Sequence, residues 1–324
     1  MVEFNSRNAR TWSMLGACGA FGVAAVDLAE SDPDFAVVTA DLCFFSGLER
    51  MREKFPDKLY NVGIAEQNMI GVAGGMAKEG MHVFTTTYAS FACTRVMDQL
   101  KMVMGYMQLP VKLIGLTSGY SVGILGATHM SIEDLAIVRS IPNMVVLSPA
   151  DCTETVKCVY AAAQCDKPVY IRLTGTQRTP VVYADDYDFQ IGKAIVLRDG
   201  SDVTMFATGT MVWESLKTAK LLEEFGISCA VIDVHTIKPL DMETIEKYSH
   251  SKLIVTVEEH SVIGGLGSAI AEALCNQNAR PPQMMIGIDD CYPHAGTYEQ
   301  LIQSSGLTAQ QIKDRIVERW HALN

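Results

Sequence analysis

Four segments carry residues whose types and spacing suit chemistry. In Asn61-Val-Gly-Ile-Ala-Glu-Gln-Asn68 a single acid, Glu66, opens an otherwise apolar, glycine-rich helical stretch. The helix dipole alone would favour a carboxylate there. Flanked by Ile64, Ala65, Met69 and Ile70, the group is also expected to be partly desolvated, which suits proton sharing with a ligand nitrogen. Tyr88-Ala-Ser-Phe91 places two aromatics three residues apart after an apolar run, as a pocket wall for a flat heterocycle or as core. Arg95 and Asp98 follow at the spacing of a helical ion pair. The long loop Gly119-Tyr-Ser-Val-Gly-Ile-Leu-Gly-Ala-Thr-His129 ends in a histidine that can shuttle protons, donate to a substrate, or serve as a cap or core group. Gly264-Gly-Leu-Gly267 lacks the G-x-G-x-x-G spacing of a phosphate cradle and reads as a tight turn into a helix.

The elements that must position these residues alternate along the chain. Phe35–Leu42, His82–Thr87, Val111–Thr117, Met144–Ala150 and Pro168–Thr174 are short, apolar and β-branched, as parallel strands buried on both faces are. Helical spacing runs over Glu66–Gly80, with a terminal glycine, over Ser90–Met107, and over Ser131–Ile141, which opens on a serine cap. After a polar stretch with Pro180, Tyr183, Asp185 and Asp186, the alternation resumes: strands at Val203–Thr208, Cys229–Val234, Leu253–Glu258 and Met284–Ile288, helices at Val212–Phe225, Leu266–Cys275 and Ala309 to about Leu323. The pattern predicts two doubly wound α/β domains, residues 1–178 and 191–324, joined by a linker at 179–190. Ligands of such sheets bind beyond the carboxyl ends of the strands, where the residues singled out above fall.

The 324 residues suffice for two cores, and the 48% hydrophobic and 19% charged content is that of a globular chain. A net charge of −11 argues against nucleic acid and anionic membrane as partners. No run reaches the roughly 18 apolar residues of a membrane helix, and no signal peptide is read at the start. Nine scattered cysteines without a C-x-x-C pair fit reduced, packed thiols in a cytoplasmic protein.

In this order, V-G-I-A-E-Q-N, Y-A-S-F, A-T-H, I-P-N-M-V-V-L-S-P-A-D and E-E-H-S-V-I-G-G-L-G-S-A resemble the C-terminal part of transketolase: its pyrimidine-binding domain and its small C-terminal domain. The resemblance implies thiamine diphosphate as cofactor and transfer of a two-carbon ketol unit between sugar phosphates. It implies that Glu66 hydrogen-bonds the aminopyrimidine and that Tyr88, Phe91 and Arg95 belong to the cofactor's surroundings. His129 would assist proton transfer on the substrate, and Arg10, Arg172 and Ser46 would hold the sugar phosphate. The G-D-G…N segment that binds the diphosphate and metal in full-length members is not found. An N-terminal-type partner subunit is therefore expected, in an α2β2 assembly that holds Mg2+ or Ca2+ mainly through the partner.

The loop departs from the usual G-E-D-G-x-T-H-Q. Leu125 stands where an aspartate contacts the donor hydroxyl, Met130 replaces the glutamine, and a phosphate-side histidine is lost near Thr117 or Ser118. An apolar Leu125 cannot accept a hydroxyl hydrogen bond, so an altered donor is expected, a ketose of unusual stereochemistry or a modified sugar. Three other readings stay open: a 1-deoxyxylulose-5-phosphate synthase-like enzyme using pyruvate, a 2-oxo acid dehydrogenase E1 β subunit, and a non-catalytic regulatory homologue. His260 and His294 are open to structural or functional roles.

Overall fold

The structure, a computed structural model, describes residues 2–277 and 280–323. Two α/β layers carry the chain. The first sheet comprises β1 (Phe35–Thr39), β2 (Leu59–Asn61), β3 (His82–Tyr88), β4 (Lys112–Leu116), β5 (Val145–Leu147) and β6 (Val169–Arg172). The second holds β7 (Ile195–Arg198), β8 (Val203–Ala207), β9 (Cys229–Asp233), β11 (Leu253–Ser261) and β12 (Gln283–Ile288), in the order β12-β11-β8-β9-β7. The remaining strand, β10 (Thr236–Lys238), leaves the second unit and pairs antiparallel with β5, giving the first sheet the order β10-β5-β6-β4-β3-β1-β2.

β1, β4, β5, β6, β8 and β9 are buried at every position, as strands covered by helices on both faces must be. Helix Glu66–Lys78 ends before Gly80, whose φ of 95° only glycine adopts readily. The segment expected as one helix over Ser90–Met107 is wound with π turns at Phe91–Arg95 and Leu100–Tyr106 around a short α turn. The helix expected from Ser131 begins only at Asp134 and has no side-chain cap, because Ser131 forms a bridge with Gly119 instead.

Helix Ser6–Ser31 corrects the reading that no stretch is long and apolar enough to span a membrane. By length and composition it qualifies, yet 56% of its apolar window is buried in this fold. Trp12, Phe21 and Ala24 pack with Val156 and Val159 of helix Cys152–Ala163 and with Phe35 and Phe84 of the sheet.

The stretch between the sheets is clamped to both. Tyr183 and Tyr187 stack at 4.1 Å, the first donating to Asp233 and the second to Glu154, while Asp151 accepts the Val182 and Tyr183 amides. The nine cysteines are free; Cys93, Cys152, Cys158 and Cys229 are buried, whereas Cys275 and Cys291 are exposed and do not fit the packed reading.

Candidate active site

The first sheet aims the carboxyl ends of β2, β1, β3 and β4 at one edge, and the loops after them meet there. Asp41 and Asn61 tie the β1 and β2 loops together: the Asn61 amide donates to Asp41 (2.9 Å) and Oδ1 of Asn61 accepts the Asp41 N–H (3.0 Å). Beyond β2, Glu66 opens its helix and is 3% exposed. The ion pair expected between Arg95 and Asp98 gives way to another partner: Arg95 Nη1 donates to Glu66 Oε1 at 2.9 Å. Arg95 therefore pairs with Glu66, 29 positions away, and its guanidinium also lies 4.2 Å from the centre of the Phe91 ring. The π turn at Phe91–Arg95 sets both side chains, and such turns recur at functional sites.

The aromatic residues converge as a cluster. Tyr88 and Phe91 have ring centres 6.0 Å apart, and the His129 ring lies 5.6 Å from Tyr88 and 5.3 Å from Phe91. His129 is half-buried, and its Nδ1 is 2.9 Å from the Thr128 hydroxyl. Phe45, absent from the sequence reading, adds its ring 6.0 Å from Tyr88 and carries Phe44 edge-on at 5.3 Å. Both phenylalanines are exposed, at 54% and 66%. Their signal was available as an aromatic pair just beyond β1. Thr87 Oγ1 and Ser90 Oγ, on either side of Tyr88, are buried without a partner among the described residues. An aromatic cluster beside a buried carboxylate suits a flat, nitrogen-bearing heterocycle such as an aminopyrimidine.

Two residues assigned to a sugar phosphate are not available to one. Arg172 is 1% exposed; its Nε donates to Asp134 (2.9 and 3.1 Å), and Nη2 donates to the Ser131 and Glu259 carbonyls. Ser46 is fully buried, with its hydroxyl bonded to the Leu42 carbonyl (2.8 Å) and beside Thr86 Oγ1 (2.9 Å). Arg10 is exposed on helix Ser6–Ser31. One turn beyond it, the Ser13 carbonyl accepts the Arg178 N–H and its hydroxyl donates to Thr179. Leu125 is 48% exposed in the turn Gly123–Thr128, and Met130 is buried. The Gly264–Gly267 turn holds no anion site, because Glu258 already accepts the Leu266 and Gly267 amides at 2.7 and 2.8 Å. His260 is fully buried, and burial pushes its imidazole down to about 4, which keeps the ring neutral.

Two family models match the chain: the transketolase pyrimidine binding domain over residues 16–178 and the transketolase C-terminal domain over 192–312. The chain belongs to the transketolase family. Within that family it is similar over its full length to a solved split gene transketolase in an inactive β4 tetramer, with 35% identity, 100% of both chains covered and a TM-score of 0.84. It is 40% identical to the 6-deoxy-6-sulfo-D-fructose transketolase subunit SqwH of Clostridium sp. strain MSTE9, over 89% of each chain. It is 37% identical to a 1-deoxy-D-xylulose-5-phosphate synthase of Synechococcus sp. strain JA-2-3B'a(2-13), covering 93% of this chain but 47% of that enzyme.

Proposed function

We propose that this chain is the β-type subunit of a split transketolase. It would pair with an N-terminal, diphosphate-binding subunit as α2β2 and move a two-carbon ketol unit from a ketose phosphate to an aldose phosphate in the cytoplasm. The observation that carries this is the convergence of Glu66, Arg95, Phe91, Tyr88 and His129 at one open sheet edge. The loops there leave Phe44, Phe45, Ile64, Ile124 and Leu125 exposed, and apolar surface of this kind is expected against a second subunit. Similarity to a split gene transketolase that is inactive as a β4 tetramer supports the need for a second kind of subunit.

Thiamine diphosphate, when bound, supplies the carbon nucleophile and electron sink for cleaving a carbon–carbon bond. Glu66 would hold its aminopyrimidine edge, with Arg95 fixing the carboxylate's orientation from the solvent side. Phe91 and Tyr88 would flank the ring and exclude water, and Mg2+ or Ca2+ would lie mainly with the partner. His129 would move a proton at a substrate oxygen. Arg10 remains the arginine free to meet a sugar phosphate. Leu125 would favour a donor lacking the usual hydroxyl contact, and the sulfo-sugar named for one relative supports a modified donor.

The test is to purify the chain from its native extract, identify what accompanies it, and assay it with thiamine diphosphate, Mg2+ and a donor panel. The panel includes xylulose 5-phosphate, fructose 6-phosphate, 6-deoxy-6-sulfofructose and pyruvate. A stoichiometric diphosphate-binding partner and ketose cleavage are expected, with Leu125→Asp shifting the donor profile. Ketol transfer by the chain alone would refute the partner requirement, and an unchanged profile would refute the role of Leu125. Turnover of pyruvate alone would favour the synthase reading, which the 37% identity to such an enzyme supports.

A further inference from the structure

The loop that ends in His129 is held largely from behind, by the second domain. Its base is closed within the first domain, where Gly119 N–H donates to the Ser131 carbonyl at 2.8 Å. Glu259, a fully buried residue of β11, accepts the next amide, Tyr120 N–H, on Oε1 at 2.7 Å. Its other oxygen accepts from Thr210 Oγ1 and from the Tyr298 hydroxyl, each at 2.6 Å. Three donors on one buried carboxylate leave it little freedom to turn. The Tyr120 ring is itself fully buried, and its hydroxyl lies 2.8 Å from Ser305 Oγ. Further along, Gly296 N–H donates to the Gly123 carbonyl at 3.2 Å.

The glycines of this loop record the same contact. A Cβ at Gly119, where φ is +62°, would sit 2.2 Å from Glu259 Oε1. One at Gly123 would sit 2.2 Å from Leu301 Cδ1 and 2.9 Å from the Gly296 carbonyl. Both positions must therefore lack a side chain for the second domain to press so close. The His129 ring packs against Tyr88 and Phe91 and beside its neighbour Thr128, and its N–H closes the turn by donating to the Gly126 carbonyl at 3.1 Å.

We propose that the C-terminal domain orients His129 for proton transfer, with Glu259, Tyr120 and Ser305 as positioning residues that act through the loop without touching substrate. This rests on the reading of His129 given above. Holding a proton-transfer group in place before the reaction is worth a large factor in rate, and a shift near 1 Å can cost about a hundredfold.

The experiment uses the chain with its co-purifying subunit, thiamine diphosphate, Mg2+ and the best donor of the panel. It compares wild type, Tyr120→Phe, Ser305→Ala, the double variant and His129→Ala. Tyr120→Phe keeps the buried ring and removes one hydroxyl, so the fold is retained. Each single variant is expected to lower kcat about tenfold with KM within about twofold, and the double variant to lose no more than either alone. Amide hydrogen exchange over residues 121–130 should speed up in all three, while exchange in β8 and β11 stays at wild-type rates. Wild-type kcat in Tyr120→Phe and Ser305→Ala, alongside a slow His129→Ala, would overturn the positioning role and leave the function standing. A fully active His129→Ala would overturn the reading of the histidine itself, and the positioning role with it.

Discussion

Replacing Arg172 by methionine separates a structural from a substrate-binding arginine. In the fold its guanidinium meets Asp134 through Nε, and both side chains are at most 1% exposed. Methionine fills much of the volume but leaves Asp134 with the Tyr170 hydroxyl, at 2.7 Å, as its remaining side-chain partner. It also removes a donor from two carbonyls, those of Ser131 and Glu259, the second of which lies in the other domain. Breaking a buried pair in this way costs about 3–5 kcal/mol. At a few degrees per kcal/mol, the unfolding midpoint should fall by about 5–15 °C. The double change Arg172→Met with Asp134→Leu should recover part of the loss, because no charge is then stranded. Thermal and denaturant unfolding of the chain measure this, alongside KM for a phosphorylated donor in the assembled complex. An unchanged midpoint with a steeply raised KM would refute the argument and return Arg172 to the phosphate site.

Two further outcomes are expected. Glu66→Gln should reduce turnover by about 10²–10⁴-fold and weaken cofactor retention in the complex. Stability should change by under about 1 kcal/mol, since Arg95 is 46% exposed and solvent takes over its charge; a wild-type rate would exclude the proposed role. Asp233→Asn probes the buried carboxyls at the domain junction, where burial lifts Asp151 to about 6 and raises Glu154 and Asp233 as well. A raised folded-state value means that these groups add stability at low pH, and that it is lost as pH climbs from about 4 through 6 and beyond. Asp233→Asn should therefore stabilise the chain at pH 8 by about 1–2 kcal/mol more than at pH 5. Equal effects at both pH values, read from unfolding midpoints, would show that the carboxyl is not protonated in the fold.

The parts of the fold that read clearly from the sequence are those whose cause is local. Strands such as Ala36-Val-Val and Leu113-Ile114 are apolar on both faces, and burial explains them without reference to neighbours. β2 and β10 are three residues each, and they exist because a partner strand is present. Ser131 carries a good capping pattern, but the bridge to Gly119 is a tertiary event that outweighs it. At the site, Glu66, Tyr88, Phe91 and His129 stood out because each lies at or beyond the carboxyl end of a strand. The Glu66–Arg95 pair joins loops after two different strands, so nothing in the linear spacing reveals it. For Arg172 a signal did exist: an arginine inside Val169-Tyr-Ile-Arg-Leu173 must be buried, and a buried charge needs a fixed partner.

Strand β10 carries a consequence for how the molecule is made. It covers the edge of β5, yet it lies beyond the second unit's β7, β8 and β9 in the chain. As the polypeptide leaves the ribosome, the first sheet must wait with β5 uncovered until residues of the later unit are synthesised. An uncovered strand offers unpaired backbone groups to any other chain nearby. The nascent chain is thus open to mispairing during that interval, and a protease cut between the two units would not release a self-sufficient first half. Gene fission or shuffling that respects only the sequence boundary near residue 185 would leave the same wound, so the two units are expected to travel through evolution together.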